Sequence, residues 1–153
     1  MIVLDTNIAS VILSPHHPDL PTITAWQSRC PDQDFRITAV TRAELSYGIA
    51  LLPEGDRKHR LSRAVRQFLD AMEPWTLPFG AKQADVYGLI AATRRAQGLP
   101  ISVLDAQIAA TAMQAGAVVA TRNVADFSSC GVGVIDPYAP VNGPNAEGGT
   151  DSA

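Results

Sequence analysis

Five short apolar runs, separated by stretches too long for hairpins, constrain this chain more than any other feature. Ile2-Val3-Leu4, Phe35 to Ile37, Trp75-Thr76-Leu77, Ala117-Val118-Val119-Ala120 and Val132 to Ile135 read as strands. The run at 117–120 is apolar throughout, the pattern of a parallel strand covered on both faces. The intervening segments carry helical spacing, and helices are predicted over 8–13, 20–29, 38–52, 56–72, 81–97 and 102–115. The helix over 56–72 is the most plainly amphipathic, with Leu61, Ala64, Val65, Phe68, Leu69 and Met72 on one face. Gly98 with Pro100, and Gly116, supply stop signals. Strands alternating with helices predict an α/β fold, a three-layer α/β/α domain around a short, mostly parallel sheet. The domain is expected to span residues 1–140. From Val141 onward there is little but Gly, Pro, Asn, Ser and charge, so 141–153 is expected to be a disordered tail.

Composition narrows the class. Of 153 residues 46% are hydrophobic and 18% charged, which excludes a wholly disordered or collagen-like chain. A net charge of −3 gives no bulk basicity for coating nucleic acid. No charged region precedes a long apolar core at the start, and no run of about eighteen apolar residues occurs. A cytoplasmic protein with no membrane association is therefore expected. Cys30 and Cys130 make no C-x-x-C pair and read as two reduced thiols.

In a parallel α/β sheet, ligands sit beyond the carboxyl ends of the strands, near a switch in strand order. There the sequence places Asp5-Thr6-Asn7, Thr41-Arg42-Ala43-Glu44, Ser102-Val103-Leu104-Asp105 and Thr121-Arg122-Asn123-Val124-Ala125-Asp126. Asp5 and Asp126 follow strands, and Glu44 and Asp105 are expected in first turns of helices at the same rim. Four carboxylates are thus predicted to face one crevice. Each also has a capping alternative. Asp5 fits an N-cap, Asp126 fits the cap of a short turn into Phe127, and Thr41-x-x-Glu44 and Ser102-x-x-Asp105 both fit the capping box. Four converging anions without a counter-charge repel one another. A hard divalent cation, Mg²⁺ or Mn²⁺, resolves that repulsion through oxygen ligands, and such a site can activate water for phosphodiester cleavage. There is no Gly-rich phosphate loop and no G-x-S-x-G elbow. His16 and His17, between prolines, read as a solvated loop.

The ordered set of motifs resembles a PIN-domain ribonuclease. It comprises Ile2-Val3-Leu4-Asp5-Thr6-Asn7, Thr41-x-x-Glu44-Leu45, Asp105-Ala106-x-Ile108-Ala109-Ala110 and Thr121-Arg122-Asn123-x-x-Asp126-Phe127. The closest kind is similar to the VapC or FitB toxins of bacterial toxin–antitoxin pairs, and the resemblance runs from Met1 to about Pro140. It implies a metal-dependent endoribonuclease whose acidic cluster, catalytic and metal-binding, is Asp5, Glu44, Asp105 and Asp126. It implies that Thr6, Asn7, Thr121 and Asn123 support that cluster by hydrogen bonds. It further implies an RNA substrate, a homodimer, and a small antitoxin partner whose tail blocks the site.

Two other features bear on function. Arg57, Lys58, Arg60, Arg63 and Arg66 gather on the polar side of the 56–72 helix, either as a solvated face or as a contact for RNA or an acidic partner. Arg42 and Arg122, beside acidic residues, are candidate phosphate contacts. The alternative to an enzyme is a non-catalytic module that acts by binding a partner, built on a PIN fold or a receiver-like one. A receiver wants adjacent acids after the first strand and a Lys after the last. This chain has Asp5-Thr6-Asn7 and Asp136-Pro137 there. A phosphatase of the D-x-D kind meets Asn7 at the third position.

Overall fold

Strand β1 (Ile2–Leu4) is buried along its whole length and has a parallel neighbour on each side. Those neighbours are β2 (Phe35–Thr38) and β4 (Val118–Ala120). Beyond them lie β3 (Thr76–Leu77) and β5 (Gly133–Ile135), giving the order β3-β2-β1-β4-β5. Every pair is parallel. The structure, a computed structural model, describes residues 1–140 of the chain; the tail expected at 141–153 lies outside the described residues.

Among the described residues seven helices connect the strands: α1 (Thr6–Ile12), α2 (Leu20–Ser28), α3 (Ala39–Ala50), α4 (Asp56–Ala71), α5 (Ala81–Ala96), α6 (Val103–Gln114) and α7 (Val124–Phe127). Side-chain alternation along β1 divides the interior. Ile2 and Leu4 join one core with Ile8, Ile23, Trp26, Val65 and Leu69, from α1, α2 and α4. Val3 joins a second core with Val119, Ile90, Ile108 and Phe127, from β4, α5, α6 and α7. These two cores on opposite faces of the sheet make the expected three layers. Alanines 106, 109, 110 and 112 let α6 lie close to the sheet; all four are fully buried. No helix among the described residues is long and apolar enough to cross a membrane.

Three local readings change. Trp75 closes a 3-10 turn (Glu73–Trp75) instead of starting β3, and the Arg36 guanidinium stacks over its ring at 4.4 Å. Thr38, not Thr41, caps α3, its hydroxyl accepting from the Thr41 amide at 3.0 Å. Glu44 therefore sits in the second turn of α3, and the Thr41–Glu44 capping box does not form. The segment after β4 closes into a short helix, α7, where only a turn was expected.

Close strand approach accounts for Gly133. It faces Val118 across β4 and β5, and a Cβ there would stand 2.7 Å from Val118 Cγ1. Gly133→Ala is expected to cost about 1–3 kcal/mol, the scale of overpacking a core. Urea unfolding checks this; an unchanged midpoint would mean that Val118 swings aside freely.

Candidate active site at the switch in strand order

The chain runs from β1 outward to β2 and β3, then returns to the other side of β1 as β4. The switch in strand order therefore lies between β1 and β4. Asp5 leaves β1 there, and its backbone N–H still donates to Ala120 O of β4 at 3.0 Å. Thr121 leaves β4 beside it.

Asp5 is 3% exposed and caps α1. Its Oδ1 accepts from the Thr6 amide at 2.7 Å. Its Oδ2 accepts from Thr121 Oγ1 at 2.6 Å and from Asn7 Nδ2 at 2.7 Å. Asn7 Nδ2 also donates to Thr121 Oγ1 at 3.1 Å, so strand ends and helix start are tied across the switch. The Thr6 hydroxyl donates to Glu44 Oε2 at 2.5 Å, drawing the second turn of α3 to the same rim. Asp105 takes the third position of α6. The Ser102 hydroxyl accepts from the Asp105 amide at 3.0 Å and donates to Asp105 Oδ2 at 2.7 Å. Capping is real at Asp5 and Asp105, and it leaves both carboxylates at the crevice.

Electrostatics ties these acids together. Burial is the main force raising the Asp5 carboxyl, to about 6. The hydrogen bonds from Thr121 and Thr6 pull it back, and the charges of Asp105 and Glu44 push it further up. Burial also raises Glu44 above the usual carboxylate range, against the bond from Thr6 and with the charge of Asp105. Burial raises the Cys130 thiol, Arg94 pulls it back, and Asp105 and Asp126 push it further up; Asp126, on α7, is not among the charges that raise Asp5 or Glu44. Asp5, Glu44 and Asp105 thus form one mutually repelling group.

The remaining candidates divide. Asn123 contributes its backbone N–H, which donates to Thr121 Oγ1 at 2.9 Å; its exposed side chain makes no hydrogen bond among the described residues. Side-chain support from Asn123 is therefore not part of this arrangement. Arg122 is exposed at the rim, 3.4 Å from Asp19 Oδ2 and over the Tyr138 ring at 5.9 Å. Arg42 turns away. Its Nη1 donates to Leu69 O at 2.7 Å and pairs with Glu73 at 3.0 Å, so it serves the α3–α4 contact instead of a phosphate.

Among the described residues, no three acidic, histidine or cysteine side chains close around a common point tightly enough to cage a metal ion alone. The donor set nevertheless fits a hard divalent ion. It is all oxygen, and an ion such as Mg²⁺ keeps several waters and needs only one or two direct carboxylates. A buried carboxylate raised to about 6 beside two further acids is a site that gains from a cation.

One residue escaped the sequence reading. Arg94 on α5 is 3% exposed, a charged side chain within a core. The signal was present: Tyr87, Ile90 and Arg94 follow three-four spacing along the face of α5 that packs inward.

Comparison with known proteins is consistent with this geometry. A family model described as "PIN domain" matches residues 2–129. The chain is 35% identical over 139 residues to "Toxin FitB" of Neisseria gonorrhoeae, covering 90% of this chain and 99% of that one. It is 34% identical over 141 residues to "VapC ribonuclease Y4jK" of Sinorhizobium fredii, covering 92% and 99%. Among solved structures, FitAB bound to a DNA fragment contains a chain superposing with a TM-score of 0.82 at 34% identity, covering 92% of this chain and 97% of that one.

Proposed function

The chain belongs to the PIN-domain family, and on that premise we propose that it is a divalent-metal-dependent endoribonuclease, the toxin of a toxin–antitoxin pair. The observation that carries the reading is the buried Asp5 carboxylate, fixed by Thr6, Asn7 and Thr121 and crowded by Glu44 and Asp105. Relatives named as a toxin and as a ribonuclease, each matched over nearly their full length, support it.

Asp5, Glu44, Asp105 and Asp126 are the residues that would hold Mg²⁺ or Mn²⁺. When bound, the ion supplies a Lewis acid for the scissile phosphate and its attacking water. The chain's own side chains hold the geometry. Three donors lock Asp5, so its carboxylate loses no rotamer entropy on binding. The Thr6 hydroxyl occupies Glu44 Oε2 and orients that carboxylate across the crevice. Arg122, at the exposed rim, offers a cation to the phosphate that must approach four acids.

Partners follow from neighbouring surfaces. A groove of about 210 Å³, lined by Leu13, Leu45, Gly48 and Leu61, opens beside Thr6 and Glu44. We assign it to apolar side chains of the antitoxin. The solved FitAB complex supports that a relative is held in a two-protein assembly. Leu99, Val103 and Leu104 are exposed around the α5–α6 connection, next to Asp105. We assign them to a second copy of the chain in a homodimer. The protein acts in the cytoplasm, with residues 1–140 as the nuclease unit. The test is cleavage of total RNA with Mn²⁺, beside an EDTA control and Asp5→Asn. Cleavage by the wild type that disappears in both controls is expected; equal cleavage by Asp5→Asn would overturn the reading in favour of a binding module.

The basic face of α4 gives a separate prediction. Lys58 pairs with Glu54 at 2.5 Å. Arg60 and Arg63 form no salt bridge among the described residues, and both are exposed. If this face meets RNA, Arg60→Gln with Arg63→Gln weakens binding and flattens its salt dependence by up to about two phosphate contacts. Electrophoretic binding at several salt concentrations reads this. An identical slope returns the face to solvent.

A further inference from the structure

Arg94 has no role in the reading above, yet it is the most anomalous charge in the molecule. Its guanidinium is buried, and no carboxylate among the described residues pairs with it. Its Nε has no hydrogen-bond partner among the described residues. Its Nη1 reaches from α5 to α7, where it donates to Ala125 O at 3.4 Å and to the Ser129 hydroxyl. Desolvating a guanidinium is costly, and a buried Arg that breaks its neutral surroundings calls for a counter-charge or a task.

The task lies in α7. This helix is only four residues long and cannot hold its own place. Phe127 anchors one side of it in the core. Asp126 is the preceding residue, and Cys130 Sγ lies 3.3 Å from Asp126 O. Arg94 grips the residue before Asp126 and one three after it.

We propose that Arg94 is a positioning residue, which pins α7 from the core and so holds the Asp126 carboxylate on the crevice. The inference rests on the acidic-site reading for its functional meaning, and on α7 alone for its structural one. It differs in sign from plain electrostatics. A cation behind the crevice disfavours a bound cation, so its removal by itself would tighten metal binding. Loss of positioning would weaken it.

The experiment compares wild type, Arg94→Met, Arg94→Lys and Asp126→Asn, with two readouts. Without metal, hydrogen exchange at the amides of 124–130 is expected to quicken about tenfold or more in Arg94→Met and less in Arg94→Lys, while β1 and α6 amides keep their rates. With metal, the Mn²⁺ concentration for half the thermal shift is expected to rise severalfold in Arg94→Met. It should rise no further when Arg94→Met is added to Asp126→Asn. Unchanged exchange at 124–130, or a fall in the Mn²⁺ midpoint, would overturn the proposal. Were the wild type to show no Mn²⁺ shift, the acidic-site reading would fall by itself, and the exchange rates would still decide whether Arg94 pins α7.

Discussion

Asp105→Asn is expected to leave the metal-free protein as stable as the wild type, or more stable, and to remove most of its stabilisation by Mn²⁺. The local geometry makes the substitution clean. The Ser102 hydroxyl accepts from the backbone N–H of residue 105, which any residue supplies, and donates to a side-chain oxygen that Asn retains. The cap therefore survives, and only the charge is lost. That charge raises both Asp5 and Glu44, so removing it relieves repulsion in the metal-free state. With metal the order reverses. A bound ion stabilises by RT ln(1 + [L]/Kd), about 2.7 kcal/mol at a hundredfold excess over Kd. The variant should lose most of that gain and its RNA cleavage. If Asp105 serves only as part of a cap, its replacement by Ala should cost about 0.5–2 kcal/mol and touch nothing else. Paired melts in EDTA and Mn²⁺ separate the cases. A variant weakened in EDTA that keeps its Mn²⁺ shift and its cleavage would remove Asp105 from the site.

The second large effect is on pH. Asp5 is raised from 3.8 to about 6 in the folded chain. A carboxyl raised on folding favours the folded state most while both states hold the proton, below its unfolded value. That advantage is lost as pH climbs through about 6. The metal-free protein should thus weaken between roughly pH 4 and pH 6, by about 3 kcal/mol from Asp5. Glu44 is raised as well and acts in the same direction. Metal binds the ionised form, so it must displace the Asp5 proton at low pH. The Mn²⁺ concentration for half the thermal shift should rise about tenfold from pH 7 to pH 5 and level off above pH 7. A midpoint equal at pH 5 and pH 7.5 would contradict a metal site built on Asp5.

β1 and β4 were legible because each is a short apolar run whose side chains alternate between the two cores, Val119 in one and Ala120 in the other. The acidic group was legible because three of its members sit at fixed offsets from strand ends or helix caps. What the sequence hid was a choice among local bonds. Thr38-x-x-Thr41 and Thr41-x-x-Glu44 are nested candidates for the same helix start. The pairing of Thr38 with Leu77 extends β2 through Thr38 and decides for the first. Arg42 is adjacent to the acidic residues in sequence, but its long side chain finds Glu73 and a carbonyl of α4. Trp75 carries strand propensity, yet Pro74 favours the turn before it, and Arg36 stacks on the result. Arg94 was readable only by asking why an arginine follows an inward helical face.

Direct metal binding tests the central claim most closely. Manganese added to metal-free protein at pH 7.5 can be followed by the electron paramagnetic resonance signal of free Mn²⁺. The account predicts that the wild type removes that signal from solution up to a stoichiometric end point. Asp5→Asn and Asp105→Asn, folded by circular dichroism, should leave it undiminished over the same range, and RNA cleavage should rise with the bound fraction in the wild type alone. Binding by both variants equal to that of the wild type, or cleavage that proceeds while all the manganese stays free, would contradict it.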